Sequence, residues 1–283
     1  MSGCLILSND FCIMKLDTRN PILNLPTAKV ILFTGNYGSG KTEVAVNYAI
    51  WLARQNQRVK IADLDLVNPY FRCREAREPM EQLGIKVIAP EAGFHHADLP
   101  ILLPEVRGLI EKPDDFSILD VGGDDVGATV LASLTDVFIK AKYEMYFVAN
   151  RNRPFTDTVE GCLKIMGEVE KASRLKVSAI VGNTHLMDET TWEAVEEGIE
   201  FTRKVAETKG VPVAFIAAER KLLSADQSID CPFPILPIDR LMLPPWKQRT
   251  SLGETSTHSR DGFGRLTHIA KSDSSKKSRN PDK

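Results

Sequence analysis

Residues 28–42, AKVILFTGNYGSGKT, decide how the chain is read. Val30, Ile31, Leu32 and Phe33 form a short apolar, β-branched run of the kind buried in a parallel sheet. The run breaks into a loop carrying Gly35, Gly38 and Gly40, and Lys41 and Thr42 then open a helix with Val44, Ala45, Tyr48, Ala49 and Leu52 at helical spacing. G-x-x-x-x-G-K-T between a strand and a helix is a phosphate-binding loop. Glycines let successive backbone N–H groups turn inward around a phosphate at the positive end of a helix. Lys41 supplies a mobile point charge for the β- and γ-phosphate oxygens, and the Thr42 hydroxyl is placed to ligate Mg²⁺.

Working outward, VKIADLDL (59–66) reads as a second buried strand ending in Asp63 and Asp65. Carboxylates at the carboxyl end of a parallel strand sit on the ligand-binding edge of an open sheet. Asp65 is expected to orient the attacking water and Asp63 to serve the metal. Further on, FSILDVGGDD ends a strand on Asp120, a second Mg²⁺ candidate, followed by Gly122 and Gly123, whose N–H groups can approach a γ-phosphate. EMYFVAN (144–150), KVSAIVGN (176–183) and VPVAFIAA (211–218) are further strand candidates, and FPILPIDR (233–240) an edge strand or wrapping segment because of its prolines. Helices are expected over 105–112, over 156–172 behind a Thr156 N-cap, and over 188–206. Strands alternating with helices predict an α/β fold: a doubly wound, mostly parallel sheet with helices on both faces.

Composition narrows the function classes. The chain has 283 residues, a formal net charge of −2 and 43% hydrophobic content, enough for a substantial core without a general affinity for nucleic acid. No apolar run reaches the length of a membrane span, so no stable membrane insertion is expected. Five scattered cysteines without a C-x-x-C pair fit reduced thiols, and the start MSGCLILSNDFCIM lacks the pattern of a signal peptide; a cytoplasmic location is expected. Residues 1–27 read as an extension, with Met14 an alternative start, 28–246 as the nucleotide-binding domain, and 247–283 as a flexible basic, Ser/Thr-rich tail. Arg72, Arg74 and Arg77 read as a solvated helix face or an acidic-substrate clamp, and His95 and His96 as a surface loop.

FTGNYGSGKTE, DLDLVNPYFR, DVGGDDVGA and RPFTDTVEG together resemble the CobQ/CobB/MinD/ParA nucleotide-binding family, SIMIBI-type P-loop NTPases, and within it bacterial ATP-binding proteins labelled cobyrinic acid a,c-diamide synthase-like. The resemblance covers residues 28–246 and implies a Mg²⁺-dependent ATPase. It assigns Gly35, Asn36, Tyr37, Gly38, Ser39, Gly40, Lys41, Thr42, Glu43 and Gly123 to nucleotide binding, Lys41, Asp65 and Asp120 to catalysis, and Asn183 to adenine. An amide offers both the donor and the acceptor that adenine's N6/N7 edge requires. Family members that act as dimers carry a second lysine where this chain has Asn36, which cannot deliver that charge to a partner's nucleotide, so a homodimer is left open. The amidotransferase relatives carry a glutamine-hydrolysing domain that this chain is too short to hold. Two readings remain at this point: a nucleotide switch acting on a protein partner, and an ATP-dependent small-molecule ligase of the dethiobiotin synthetase kind or a P-loop kinase.

Overall fold

The computed structural model describes residues 21–65, 73–89, 99–113, 115–123, 125–223 and 230–242. Its frame is one eight-stranded sheet in the order β3-β2-β4-β1-β5-β6-β7-β8, with every neighbouring pair parallel. The strands are β1 Val30–Thr34, β2 Val59–Leu64, β3 Lys86–Ile88, β4 Phe116–Val121, β5 Tyr143–Ala149, β6 Ala179–Gly182, β7 Val213–Glu219 and β8 Ile235–Ile238. Between them run α1 Lys41–Arg54, α2 Arg77–Gln82, α3 Leu99–Glu111, α4 Asp125–Ser133, α5 Thr135–Phe138, α6 Val159–Ser173 and α7 Trp192–Lys209.

The period-two geometry of a strand explains the layering. In β1, Ile31 and Phe33 join a core with Val44, Tyr48 and Leu52 of α1, while Val30 and Leu32 face a second core with Val106, Leu131 and Phe138. All five β1 residues are therefore buried, which is why the strand reads as an unbroken apolar run. Phe33, Tyr48, Tyr146 and Phe215 meet at centroid distances of 5.4–6.2 Å, fixing α1 across β1, β5 and β7. Before β1, Leu23 packs against this core and Glu144 accepts hydrogen bonds from the backbone N–H groups of Thr27 (2.8 Å) and Ala28 (3.1 Å).

Several boundaries differ from expectation. α3 starts at Leu99 and carries Pro104 inside it, where the prolines had hidden the first half of the helix. The N-cap of α6 is Thr158, whose Oγ1 accepts from the Gly161 N–H (3.1 Å); Thr156 is buried and donates to the Asn150 carbonyl (3.0 Å). α7 is capped by Thr191, because a 3₁₀ turn occupies 187–189. β8 takes the sheet edge, where the Pro237 ring costs no central ladder bond. The expected tail, His95, His96, Arg72 and the Arg74 side chain lie outside the described residues, while Arg77 is exposed and pairs with Glu81 one turn on. No helix among the described residues is long and apolar enough to cross a membrane.

Candidate functional site

The order of the strands puts the carboxylates under the phosphate loop. β4 lies between β1 and β2, in a register that sets Asp120 beside Phe33 on one side and Asp63 on the other. Asp63 and Asp120 share the face carrying Ile61 and Ile118, the face covered by α1, whose first residues are Lys41 and Thr42. Asp65 follows β2, and its backbone N–H donates to Asp63 Oδ1 (3.2 Å).

Lys41 Nζ donates to Asp65 Oδ2 at 2.6 Å, and the two side chains are only 6% and 7% exposed. Burial works against the ammonium, but Asp120 foremost and then Asp65 and Asp63 hold the Lys41 pKa above its ordinary value. Neither carboxylate oxygen of Asp120 completes a hydrogen bond with a described residue, and the residue is wholly buried. Burial pushes the Asp120 carboxyl up to about 7; the Lys41 charge pulls it back, while the charges of Asp63 and Asp65 add to the rise. Among the described residues one ammonium stands among three buried carboxylates, and the two oxygens of Asp120 are left to a cation.

Among the described residues no three His, Cys, Asp or Glu side chains converge as a protein-only metal cage. Magnesium needs none, since it keeps waters and phosphate oxygens in its shell and takes few ligands from the protein. The partnerless oxygens of Asp120, with Asp63 beside it in register and Thr42 at the helix start, fit such a role. Cys73 is buried near these carboxylates; burial, then Asp63 and Asp120, raise its pKa and keep it protonated.

The loop itself has the conformation its glycines predict. Gly38 (φ 72°) and Gly40 (φ 83°) are left-handed, and Gly40 is the residue immediately before α1. A Cβ on Gly123 would stand 1.9 Å from the Gly35 carbonyl oxygen, so the turn after β4 packs directly on the phosphate loop and only glycine permits it. The expected binding residues divide by what they touch. Asn36 is turned away: its Nδ2 donates to the Pro154 carbonyl (2.7 Å) and its Oδ1 accepts from the Tyr37 N–H (2.8 Å), tying the loop to the segment after β5. Tyr37 is exposed, and Ser39 is buried with a partnerless hydroxyl. Glu43 accepts from the backbone N–H groups of Leu241 (2.8 Å) and Met242 (3.3 Å), and burial raises its pKa to about 7.

Beside the loop opens a cavity of about 490 Å³, reaching from Gly40, Lys41 and Thr42 to the carboxyl ends of β6, β7 and β8. Asn183 is buried in its wall, where its Nδ2 donates to the Ser39 carbonyl (2.8 Å). One further N–H and the amide oxygen are then left for a ligand.

Three contributors escaped the sequence reading. Arg153 donates through Nε to the Gly38 carbonyl (2.6 Å) and lines the cavity. His185 lines it with a buried, partnerless Nε2, and burial, with Arg153 and Arg240 nearby, lowers its pKa to about 4, so the ring is neutral. Asn47 of α1 exchanges two hydrogen bonds with the Asp239 backbone (2.8 and 3.0 Å), holding the 239–242 strand exit against the site. Only the run RPFT beside the loop signalled the first of these, and nothing local signalled the others.

No family model and no curated protein matches the chain. Among solved structures it is similar to FtsY from Mycoplasma mycoides, with 18% identity, a TM-score of 0.45 and coverage of 70% of this chain and 61% of that one. The signal recognition particle receptor FtsY from Elizabethkingia anophelis in complex with GDP gives 18%, 0.48, 74% and 63% in the same order. A nucleotide-binding protein from Archaeoglobus fulgidus in complex with ADP gives 16%, 0.39, 65% and 82%. The chain thus spans less than two thirds of the length of either FtsY, and likenesses this distant leave the reading of the site to its own geometry. That geometry is an α/β fold of the P-loop type, with a phosphate loop after β1 and paired carboxylates at the ends of β2 and β4.

Proposed function

We propose that the chain is a Mg²⁺-dependent P-loop ATPase of the CobQ/CobB/MinD/ParA kind that works as a nucleotide switch on a protein partner. The buried Lys41–Asp65 pair beside the partnerless Asp120 carboxylate carries this reading. It is a charge arrangement that is costly for folding alone and suited to a polyphosphate with its cation. Bound magnesium would neutralise phosphate charge; in this reading Thr42, Asp120 and Asp63 would hold it, and Asp65, now bonded to Lys41, would orient a water for in-line attack. Adenine is favoured by Asn183, because the N–H and amide oxygen left after its bond to Ser39 match N7 and the 6-amino group. Guanine would set its O6 against that amide oxygen.

The test is Mg·ATP and Mg·GTP binding and hydrolysis by the wild type, Lys41→Ala and Asp120→Ala. The expected result is slow basal ATP hydrolysis, loss of triphosphate affinity in Lys41→Ala, and loss of magnesium dependence in Asp120→Ala. Wild-type protein indifferent to both nucleotides overturns the proposal.

A further inference from the structure

The two ends of the site lie over different strands. Asp63 and Asp120, in β2 and β4, and Asp65, which follows β2, mark the γ-phosphate end, and none of them lines the cavity. Beyond the loop, the cavity is walled by the exits of β6, β7 and β8, with Val195, Ala217, Ala218, Ile238 and Met242 as its apolar lining. Whatever projects from the phosphates into this space is the nucleoside.

Arg153 reaches the cavity from the segment after β5, and that segment is fixed at several points. Thr156 Oγ1 donates to the Asn150 carbonyl (3.0 Å), Asn152 N–H to Asn150 Oδ1 (2.9 Å), and Asn36 Nδ2 to the Pro154 carbonyl (2.7 Å). The Arg153 Nε bond to the Gly38 carbonyl uses one edge of the guanidinium and holds the side chain so close that a Cβ on Gly38 would lie 3.1 Å from Nε. No carboxylate among the described residues pairs with Arg153, whereas the other arginine of the cavity, Arg240, is engaged by Asp188. A planar, weakly hydrated cation, anchored by one edge and free of a counter-ion, is suited to lie on an aromatic ring.

We propose that Arg153 covers the nucleobase, its guanidinium stacked on the ring while Nε stays on the Gly38 carbonyl. This rests on the reading of the site as a nucleotide site. It assigns Arg153 to the base and not to the transferring phosphate, and it links occupancy of the base slot to the left-handed turn of the phosphate loop.

Titration calorimetry of the wild type, Arg153→Ala and Arg153→Trp against Mg·ADP and against inorganic tripolyphosphate tests it, with thermal melts to confirm folding. Arg153→Ala is expected to weaken ADP by about tenfold, within the range of a desolvated cation–π contact, and to leave tripolyphosphate unchanged. Arg153→Trp, which can stack but cannot bond Gly38, is expected to recover most of the ADP affinity. Equal weakening of both ligands makes Arg153 a prop of the loop and overturns the proposal, as does a Trp variant no better than Ala. A fall in hydrolysis rate with ADP affinity intact places the guanidinium on the γ-phosphate and also overturns it. If the wild type binds neither ligand, the nucleotide reading itself fails first; if it binds both and only the Arg153 pattern is absent, that reading stands and this inference alone is lost.

Discussion

Replacing Lys41 by Met tests the charge balance of the site without any ligand. Among the described residues the lysine is the cation set among Asp63, Asp65 and Asp120, and its 2.6 Å contact with Asp65 is shielded from water on both sides. Surface pairs are worth little, but removing one partner of a buried pair costs about 3–5 kcal/mol, since the other charge is left without compensation. Proton uptake by the carboxylates limits that cost, so about 3 kcal/mol at neutral pH is the expected loss, or on the order of 6–12 °C in Tm for a domain of this size. The sign with pH follows from the same cluster. Without the ammonium the folded carboxylates hold protons more tightly than the unfolded ones, so the variant loses stability as pH rises and its deficit against the wild type narrows near pH 5. Urea unfolding of nucleotide-free protein at pH 5 and pH 8 measures both effects. A double variant, Lys41→Met with Asp65→Leu, is expected to regain only part of the loss, because the pair is then gone but Asp63 and Asp120 remain without the ammonium. If Lys41→Met unfolds at the wild-type urea concentration at pH 8, Lys41 does not neutralise a buried cluster, and the electrostatic reading of the site is wrong.

The remaining predictions probe neighbouring contacts. Asp120→Asn should stabilise the nucleotide-free protein above neutral pH by about 1–3 kcal/mol, since a carboxyl raised from 3.8 to about 7 contributes stability at low pH that is lost as pH rises through that interval. Urea titrations across pH 4–8 should show that loss in the wild type and not in the variant. Gly123→Ala should abolish triphosphate binding while leaving a folded sheet by circular dichroism, because its Cβ cannot coexist with the Gly35 carbonyl at 1.9 Å. Glu144→Gln should cost about 1 kcal/mol at neutral pH, discounted because the group is only part-buried. Burial works to raise the Glu144 pKa, but hydrogen bonds from Thr27, Tyr146 and Ala28 outweigh it and hold the pKa below its ordinary value. The stabilisation is therefore present above the unfolded value near 4.5 and lost as pH falls, so thermal melts of wild type and variant should converge below pH 4.

The parts of this architecture that could be read in the sequence are those written in consecutive residues. The run from Val30 to Thr42 states strand, loop and helix within one window, and its glycines and lysine each answer a local steric or electrostatic demand. Asp63, Asp65 and Asp120 were legible as strand ends, but their convergence depends on β4 inserting between β1 and β2, which no local pattern encodes. α4 and α5 went unread because 125–138 is broken into helices of nine and four residues, too short for a 3.6-residue stripe to repeat. The grip of Asn47 on Asp239 spans 192 positions, and Arg153 reaches Gly38 across 115. Both are backbone contacts from side chains whose types alone suggest a solvated helix and a loop.

Strand order also explains why one chain can build a polyanion site and an apolar slot side by side without either spoiling the other. From β1 the chain passes first to β2 and β3 and fills in β4, then crosses to β5 and runs outward to β8. The ligand edge of an open α/β sheet lies where the winding reverses, and here that point is the exit of β1, occupied by the phosphate loop. Strands laid down before the reversal end in Asp63, Asp65 and Asp120, so the charge accumulates on that flank under α1. Past the reversal, Asn183 follows β6, Ala217 and Ala218 precede the last residue of β7, and β8 ends in Ile238; the one carboxylate that ends a strand here, Glu219, is paired with Lys221, so the other flank offers hydrogen-bonding edges and apolar walls. Moving a carboxylate to the second flank, as in Ala218→Asp, puts an uncompensated charge into the apolar slot. It should therefore weaken nucleotide but not tripolyphosphate, and equal weakening of the two would show that the flanks are not the separate compartments described.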